Sequence, residues 1–485
     1  MYMGIDIGTS GVKAVLVNEA GAIVATTSCD LALSHPVALW SEQDADSWVD
    51  AAIHAVDDLA AAHPREMSGV CGIGLSGQMH GAVLLEADGR PLRPAILWND
   101  GRSHAECAEL ERRCPSLHAI AGNLAMPGFT APKLLWVARH EPEVFARVAK
   151  VLLPKAYVRY RLTGEMVEDM SDASGTLWLD VGRRCWSETV LAATGLDLQN
   201  MPRLVEGSEV SAILSPDFAR RWGMAQGVVV AGGAGDNAAS AIGLGAIAPG
   251  GAFLSLGTSG VLFRVTDRFA PAPASAVHAF CHALPGLWHQ MGVMLSAAAS
   301  LAWLADVMAT PASALLAPLG EVVDQPSPVK FLPYLDGERT PHNDAAAGGA
   351  FVGLRSATGR DDIVQAVLEG VAYAARDNLD ALGSSSSEIM EVDLVGGGSR
   401  SALWAQIIAD VLGIPVHRVE EGEVGAALGA ARLGRLAATG EDPAKVCTRP
   451  QRLATFMPRA SAVSAYDETY HQWRKLYPAL KEVSL

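Results

Sequence analysis

One five-residue string occurs twice in this chain, in a setting where it could bind phosphate. GTSGV stands at 8–12, within MGIDIGTSGVKAVLVN, and again at 257–261, within AFLSLGTSGVLFRV. Each copy lies between two short apolar runs, which predicts a strand, a tight turn and a second strand. Such turns can cradle an anion, because Gly tolerates positive φ and the Thr and Ser hydroxyls stand beside free backbone N–H groups. The candidate phosphate-binding residues are Gly8, Thr9, Ser10, Gly257, Thr258 and Ser259.

Two acidic residues follow or interrupt apolar segments near these turns. Asp6 falls inside the first strand, where a carboxylate is costly unless it is hydrogen-bonded, paired or linked to a metal ion. A structural hydrogen bond and a role near Mg²⁺ both remain open. Asp236 follows the apolar strand 228–231 and a glycine turn, and a carboxylate at a strand end in a cleft is suited to be a general base. The alternative is that Asp236 is the N-cap of the next helix.

A third glycine pattern matches a dinucleotide-binding fingerprint in letters only. Gly72, Gly74 and Gly77 form G-x-G-x-x-G, but the residues after them predict strand, turn and strand instead of a helix. We therefore predict no nicotinamide site there. Met79 and His80 lie at the break between two apolar runs, where a strand end can face a cleft, although a single His is more often structural than ligand-binding.

Composition excludes several classes of protein. A chain of 485 residues is expected to form two or three domains, and the net charge of −16 argues against nucleic acid as the main partner. No apolar run approaches the roughly 20 residues of a membrane-spanning helix, and the N-terminus lacks a signal-peptide pattern. The seven cysteines are scattered without a CxxC pair, which fits a reducing cytoplasm. The chain also has no Gly-Lys dipeptide, which excludes a P-loop.

The remaining pattern alternates strands and helices. Apolar spacing predicts helices at 41–63, 129–147, 154–163, 361–382 and 421–440, the last with a face of Ala and Gly that permits close packing. The polar segment 166–180 predicts a loop over a site, and SSSSE at 384–388 predicts a surface loop. Near the C-terminus, a strand, a turn at 396–398 and a helix could place glycine against a nucleotide. We predict that His278, His282 and His289 and the tyrosine stripe 466–477 are structural.

Together these segments resemble the FGGY family of carbohydrate kinases over nearly the whole chain. DIGTSGVK and LSLGTSG are similar to the family's two phosphate segments, and LVGGGSRS to its adenosine segment. GFTAPKLLWVARH (128–140) and GAFVGL with DIVQAVLE (349–369) are similar to its two long signatures. The resemblance implies an α/β fold of two similar actin-, Hsp70- and hexokinase-like (ribonuclease H-like) domains around a central cleft, with domains at 1–245 and 246–485.

Within the family, four segments are most similar to the branch that phosphorylates D-xylulose with ATP: SGQMHG, ILWNDGR, the run around 169–176 and FLPYLDGERTPH. The resemblance implies that Met79, His80, Asp236 and Asn237 contact the sugar, with Asp236 as the base. It places Lys13 with Thr9 and Ser10 at the ATP phosphates. The implied adenosine contacts are Gly397, Gly398 and Ser401, although Asn is common in relatives at position 401.

The resemblance further implies Mg²⁺ as cofactor, ordered by Asp6 through water, and a homodimer as one possible assembly. The individual roles of Asp100 and Arg102 stay unassigned. Three rivals remain. Another FGGY kinase could act on ribulose, fuculose, gluconate or glycerol. An ATP-driven switch of the actin or Hsp70 type would share the fold without phosphorylating a sugar. An oxidoreductase would depend on the misplaced glycine fingerprint.

Overall fold

A computed structural model describes residues 1–383, 389–420 and 425–482. It contains two seven-stranded mixed sheets, one built from each half of the chain, and helices pack on both, which confirms the predicted α/β class. The predicted surface loop at 384–388 and the first four residues of the predicted helix 421–440 lie outside the described residues.

The strands are short and spread over the whole chain. In order they are β1 (Tyr2–Ile7), β2 (Gly11–Val17), β3 (Ile23–Asp30), β4 (Glu42–Gln43), β5 (Gly72–Gly77), β6 (Val83–Leu85), β7 (Ala95–Ile96), β8 (Lys150–Leu152), β9 (Val167–Asp169), β10 (Leu179–Asp180), β11 (Cys185–Trp186), β12 (Arg203–Val205), β13 (Val210–Ile213), β14 (Val229–Ala231), β15 (Ala234–Gly235), β16 (Ala252–Leu256), β17 (Gly260–Thr266), β18 (His278–Cys281), β19 (Trp288–Met294), β20 (Lys330–Leu332), β21 (Ala350–Val352), β22 (Val392–Val395), β23 (Val416–Val419) and β24 (Arg452–Phe456).

The helices range from one turn to six. In order they are α1 (Ala45–Ala62), α2 (Pro64–Met67), α3 (His104–Arg113), α4 (Leu117–Ala121), α5 (Thr130–His140), α6 (Pro142–Phe145), α7 (Pro154–Thr163), α8 (Met170–Ser174), α9 (Glu188–Ala193), α10 (Pro216–Arg221), α11 (Asp236–Leu244), α12 (Ala298–Val307), α13 (Ala312–Leu316), α14 (Arg360–Ala381), α15 (Ala402–Leu412), α16 (Gly425–Thr439), α17 (Pro443–Val446), α18 (Ala460–Trp473) and α19 (Leu476–Lys481).

The first sheet has the strand order β13-β14-β5-β1-β2-β3, and β15 pairs with β5 beyond the end of β14. The first GTSGV string forms the turn of the antiparallel β1–β2 hairpin, as predicted. Side chains alternate between the two faces of a strand. Ile5 and Ile7 therefore face the core with Trp48 of α1, while Gly4 and Asp6 lie on the opposite face.

The second sheet has the order β18-β19-β17-β16-β22-β23-β24. The second GTSGV string again forms a hairpin turn, between β16 and β17. Leu254, Leu256 and Leu394 face a core completed by α14 and α15. Tyr466, Tyr470 and Trp473 of α18 are buried in the same core, so the predicted structural role of the tyrosine stripe is confirmed for these residues.

Helix α16 comes from the second half of the chain but packs on the first sheet. A Cβ added at Gly74 would lie 1.8 Å from the carbonyl oxygen of Ala430. One added at Gly429, on the side facing α11, would lie 1.8 Å from the carbonyl oxygen of Ala239. The predicted close packing of the Ala and Gly face is confirmed. Two glycines of the fingerprint now have a physical reason, because Gly72 and Gly74 of β5 let α16 approach, whereas a Cβ at Gly77 would meet Lys155 instead.

Two local predictions were wrong. The helix predicted at 129–147 divides into α5 and α6, because Pro142 has no N–H to donate and begins a new helix. The loop predicted at 166–180 is a buried strand, β9, followed by the buried helix α8. Its acids, Glu168 and Asp169, are tolerated inside because both pair with the ammonium group of Lys155, at 2.5 and 2.9 Å.

Within residues 1–383, 389–420 and 425–482, no single helix is long and apolar enough to cross a membrane. The segments Ala298–Val307 and Ala312–Leu319, bent by 92° relative to each other, reach that length and composition only as a pair.

Candidate active site

Three parallel strand ends of the first sheet meet at one edge. β1 and β15 both pair with β5, and Ile7 and Gly235 both lie beside Gly77. The segments that follow these strands are therefore neighbours: the first GTSG turn, residues 8–11, and Asp236. The sheet thus brings a predicted phosphate turn next to the predicted catalytic carboxylate, although the two are far apart in the sequence.

Asp6 lies one residue before the end of β1, between residues of both neighbouring strands. It is opposite Lys13 of β2 and Ser76 of β5, and the Ser76 hydroxyl donates to Asp6 Oδ1 at 2.8 Å. Burial raises the pKa of Asp6, and the Ser76 hydrogen bond and the charge of Lys13 partly oppose this rise. The structural hydrogen bond considered from the sequence is therefore present, and it uses one of the two carboxylate oxygens.

Asp236 is the first residue of α11, and Gly235 is its N-cap, so the alternative of Asp236 as a mere N-cap is wrong. Its Oδ1 accepts from the backbone N–H of Asn237 at 2.7 Å and from Asn237 Nδ2 at 3.0 Å. Burial, assisted by the negative charge of Asp6, raises the pKa of Asp236 to about 6. A carboxylate with this pKa can accept a proton near neutral pH.

The backbone before Asp236 is tied to the buried helix α8. The N–H of Gly235 donates to Ser171 Oγ at 3.1 Å, and that hydroxyl donates to Asp169 Oδ2 at 2.5 Å. Asp169 is in turn paired with Lys155. Helix α8, which the sequence predicts as a covering loop, therefore supports the strand end that carries Asp236 from inside.

The first GTSG turn is held by the side chains of Gln43, Gln78 and Trp98, none of which the sequence predicts as a site residue. Thr9 Oγ1 donates to Gln78 Oε1 at 3.0 Å and accepts from Trp98 Nε1 at 3.0 Å. Gln43 Nε2 donates to the Thr9 carbonyl at 2.7 Å. Ser10 is exposed. A sequence signal did exist for Gln78, a polar residue directly before Met79 at the end of a buried strand.

Met79 and His80, which the resemblance assigns to the sugar, follow β5 directly after Gln78. A Cβ on Gly235 would be 2.8 Å from Met79 Cγ, so Met79 contacts the strand end that carries Asp236. His80 Nδ1 lies 2.7 Å from the Gly175 carbonyl oxygen. A carbonyl only accepts, so Nδ1 carries the proton. Burial lowers the pKa of His80 to about 3, and its Nε2 is therefore an unprotonated acceptor.

The strand ends of the first sheet form one wall of the candidate site, and the second sheet supplies the opposite wall. β16 and β22 run parallel, with Ser255 beside Val395, and their ends carry the second GTSG turn, 257–260, and the glycine turn 396–398. Gly397 is exposed. The hydroxyl of Ser401 accepts from the Trp404 N–H at 3.2 Å and so caps α15.

One cavity of about 700 Å³ borders both walls. Asn237 and Ser240 line it on the side of α11, and Ser255 and Val395 line it on the side of the second sheet. Its volume lies within the range of about 300–1,000 Å³ that is typical of small-molecule sites.

Asp100 and Arg102 belong to a buried network of ion pairs and hydrogen bonds. Arg102 Nε and Nη2 donate to the two Asp100 oxygens at 2.9 and 2.7 Å. Arg102 Nη1 pairs with Glu42 at 2.7 Å, and the guanidinium lies 3.7 Å from the Trp40 ring centroid. The Ser41 N–H donates to Asp100 at 2.6 Å. These contacts fasten the segment around residue 41 to the segment around residue 100.

The predicted structural histidines are buried and face no metal-site cluster in the described part of the chain. The three acids that do lie close enough to share a cation are Glu168, Asp169 and Asp172. Lys155 is already within 2.5 to 3.4 Å of all three, so its ammonium group occupies the position that a cation would take.

Comparison with known proteins identifies the family. Residues 1–243 match the N-terminal domain of the FGGY family of carbohydrate kinases, and residues 252–438 match its C-terminal domain. The chain belongs to the FGGY family of carbohydrate kinases. Membership of this family implies that ATP is a substrate. It also excludes two alternatives considered from the sequence, an oxidoreductase and an ATP-driven switch.

Similar proteins extend over the full length of the kinase. It is 50% identical to the xylulose kinase of Escherichia coli (strain K12) over 482 residues, 99% of each chain. It is 55% identical to a "xyloylose kinase" from Brucella ovis of known crystal structure, with a TM-score of 0.97 and 99% of each chain covered. The glycerol kinase of Plasmodium falciparum, solved with ADP, is 19% identical with a TM-score of 0.88, covering 100% of this chain and 98% of that one, and shows the shared fold alone.

Proposed function

We propose that this FGGY kinase transfers the γ-phosphoryl group of ATP to D-xylulose. The reaction is ATP + D-xylulose → ADP + D-xylulose 5-phosphate + H⁺. The observation that carries the proposal is the full-length similarity, at 50% identity, to a protein named xylulose kinase. The contact of Met79 with the strand end that carries Asp236 and the hydrogen bonds of Asn237 to the Asp236 carboxylate support it, because the resemblance assigns both residues to the sugar.

Asp236 is the proposed general base. It would accept the proton of the attacking sugar hydroxyl while the oxygen of that hydroxyl bonds to phosphorus and the bond from phosphorus to the ADP oxygen breaks. His80 would accept a hydrogen bond from another hydroxyl through Nε2. Met79 would provide an apolar wall, and Asn237 holds the Asp236 carboxylate in place.

The ATP phosphates would lie between the two GTSG turns. On the first wall, Gly8, Thr9, Ser10 and Lys13 are the proposed contacts. The Thr9 hydroxyl is already used by Gln78 and Trp98, so we expect its backbone N–H to make the phosphate contact. The contacts proposed on the second wall are Gly257, Thr258 and Ser259 for phosphate and Gly397, Gly398 and Ser401 for adenosine.

The oxygen donors of this site fit Mg²⁺. Asp6 and Asp236 are largely buried carboxylates close enough for the charge of Asp6 to raise the pKa of Asp236, and hard cations prefer such oxygen ligands. We propose that Asp6 holds the ion, through water, beside the phosphates. When bound, the ion would neutralise phosphate charge.

The boundary between the two proposed domains, 1–245 and 246–485, lies after α11. It separates the two sheets, whereas α16 crosses back to the first sheet. We infer that this returning helix connects the two walls of the cleft.

A sugar panel tests the function. We expect ADP release from ATP and Mg²⁺, followed in a coupled spectrophotometric assay, to be faster with D-xylulose than with any of the other acceptors. These are D-ribulose, L-ribulose, L-fuculose, D-gluconate and glycerol. Preference for another sugar would keep the kinase and Asp236 but discard the proposed sugar contacts. Equal turnover with and without every sugar would overturn the proposal.

The raised pKa of Asp236 predicts an acid limb in the pH profile. The base acts when deprotonated, so kcat/KM for the sugar should be full above the folded pKa and fall as pH decreases through about 6. Asp6→Asn should lower turnover, because Asp6 is the proposed support of Mg²⁺, and should move the limb of the remaining activity to lower pH, because it removes a negative charge that raises the pKa of Asp236. A wild-type limb at the ordinary aspartate pKa of about 3.9 would contradict the prediction.

A further inference from the structure

Lys133 is fully buried, and its ammonium group forms no ion pair with the residues that the structure describes. The other fully buried lysine, Lys155, lies among three carboxylates. Burying an unpaired ammonium group is unfavourable, and a Met side chain would fill a similar volume at lower cost. Burial lowers the pKa of Lys133 to about 7. A role in packing alone would not require a lysine at this position.

The Lys133 ammonium group instead binds backbone carbonyls at the candidate sugar site. Lys133 Nζ donates to the His80 carbonyl at 2.8 Å and to the Gly128 carbonyl at 2.7 Å. Thr130 Oγ1 donates to the same His80 carbonyl at 3.1 Å. Both donors to His80 are on the first turn and a half of α5, so the start of this helix holds the His80 peptide from one side.

His80 needs such support because of its backbone conformation. Its φ is +70°, in the left-handed region that residues with a Cβ avoid. Strained residues of this kind persist only when their surroundings over-determine them. The ring is fixed by the Gly175 carbonyl on Nδ1 and by an edge-to-face contact with Phe129, at 4.8 Å between centroids. The peptide is fixed by Thr130 and Lys133.

We propose that Lys133 is a positioning residue for sugar recognition. By holding the His80 carbonyl, its ammonium group keeps the imidazole turned so that Nε2 faces the sugar hydroxyl. Lys133 does not touch the sugar itself. The inference rests on the proposed function, because it assigns the sugar contact to His80.

Lys133→Met is the direct kinetic test, since it removes the donors and keeps the volume. We expect KM for D-xylulose to rise about 10-fold or more, as for loss of a hydrogen bond from a charged group, with KM for ATP within about twofold of wild type. In the His80→Ala background the same change should add little, because the ring that Lys133 positions is absent. Equal effects on both substrates, or full additivity with His80→Ala, would overturn the proposal.

A measurement made without sugar tests the role of Lys133 independently of the proposed function. In protein labelled with ¹⁵N-histidine, the His80 signals can be assigned by their loss in His80→Ala. We expect wild type to show protonated Nδ1 and bare Nε2, and Lys133→Met to shift or broaden these signals. Unchanged His80 signals in Lys133→Met would overturn the role of Lys133 even if D-xylulose is the substrate. Shifted signals would support it even if the sugar panel fails.

Thr130→Val is the matched, milder variant, because it removes one hydrogen bond to the same carbonyl and keeps the side-chain shape. It should change the His80 signals in the same direction as Lys133→Met but by less. If Lys133→Met does not fold, Thr130→Val tests the proposal in its place. Thr130→Val with wild-type His80 signals and a wild-type KM for the sugar would then contradict the proposal.

Discussion

Asp236→Asn is expected to lower kcat by about 10²–10⁴-fold, the usual contribution of a general base. Asparagine has the size of aspartate and keeps an oxygen that can accept from the Asn237 N–H, so the start of α11 should be unchanged. It cannot take up the proton of the sugar hydroxyl. The loss should therefore appear in turnover, with ATP affinity and the folded structure retained.

Three measurements decide this prediction: ADP release with sugar, nucleotide binding by titration, and circular dichroism of the variant. Asp217→Asn is the control, since Asp217 is an acid of the same half whose side chain is 87% exposed, and it should behave as wild type. Near-wild-type turnover of Asp236→Asn would remove Asp236 from the chemistry. Loss of nucleotide binding together with turnover would instead indicate damage to the site as a whole.

The parts of this site that could be predicted from the sequence are those that depend on neighbouring residues in the chain. A GTSGV string between two apolar runs already contains its turn and both strands, and both copies form the expected hairpins. Asp236 likewise follows its own strand and glycine turn. In each case the relevant contacts are made between neighbours in the chain, so pattern and residue type are sufficient.

Long-range pairing explains what could not be predicted. That Gly77 lies beside both Ile7 and Gly235 depends on strand order, which no local pattern contains. The hydrogen bonds of Gln43 and Gln78 to Thr9 depend on the same strand order. The acids Glu168 and Asp169 of β9 resembled an exposed loop because their partner, Lys155, is on a different element, α7.

The glycine fingerprint shows the same limit. The sequence predicts no nicotinamide site at G-x-G-x-x-G, but the packing reason for Gly72 and Gly74 is visible only with α16 in place. The helix lies against β5 so closely that backbone meets backbone. The same strand leads directly into Gln78, Met79 and His80. The packing of α16 is therefore linked to the position of the candidate sugar site.

Gly74→Ala is accordingly expected to reduce the free energy of unfolding by about 3 kcal/mol, at the upper end of what overpacking usually costs. The new methyl group would lie 1.8 Å from the Ala430 carbonyl oxygen, and a helix backbone cannot yield without moving α16 as a whole. Urea denaturation followed by tryptophan fluorescence measures the loss. Gly348→Ala is the matched control, because Gly348 is exposed and a Cβ there meets no atom within 4 Å. Equal midpoints of urea denaturation for the two variants would show that α16 does not pack closely against β5 in solution.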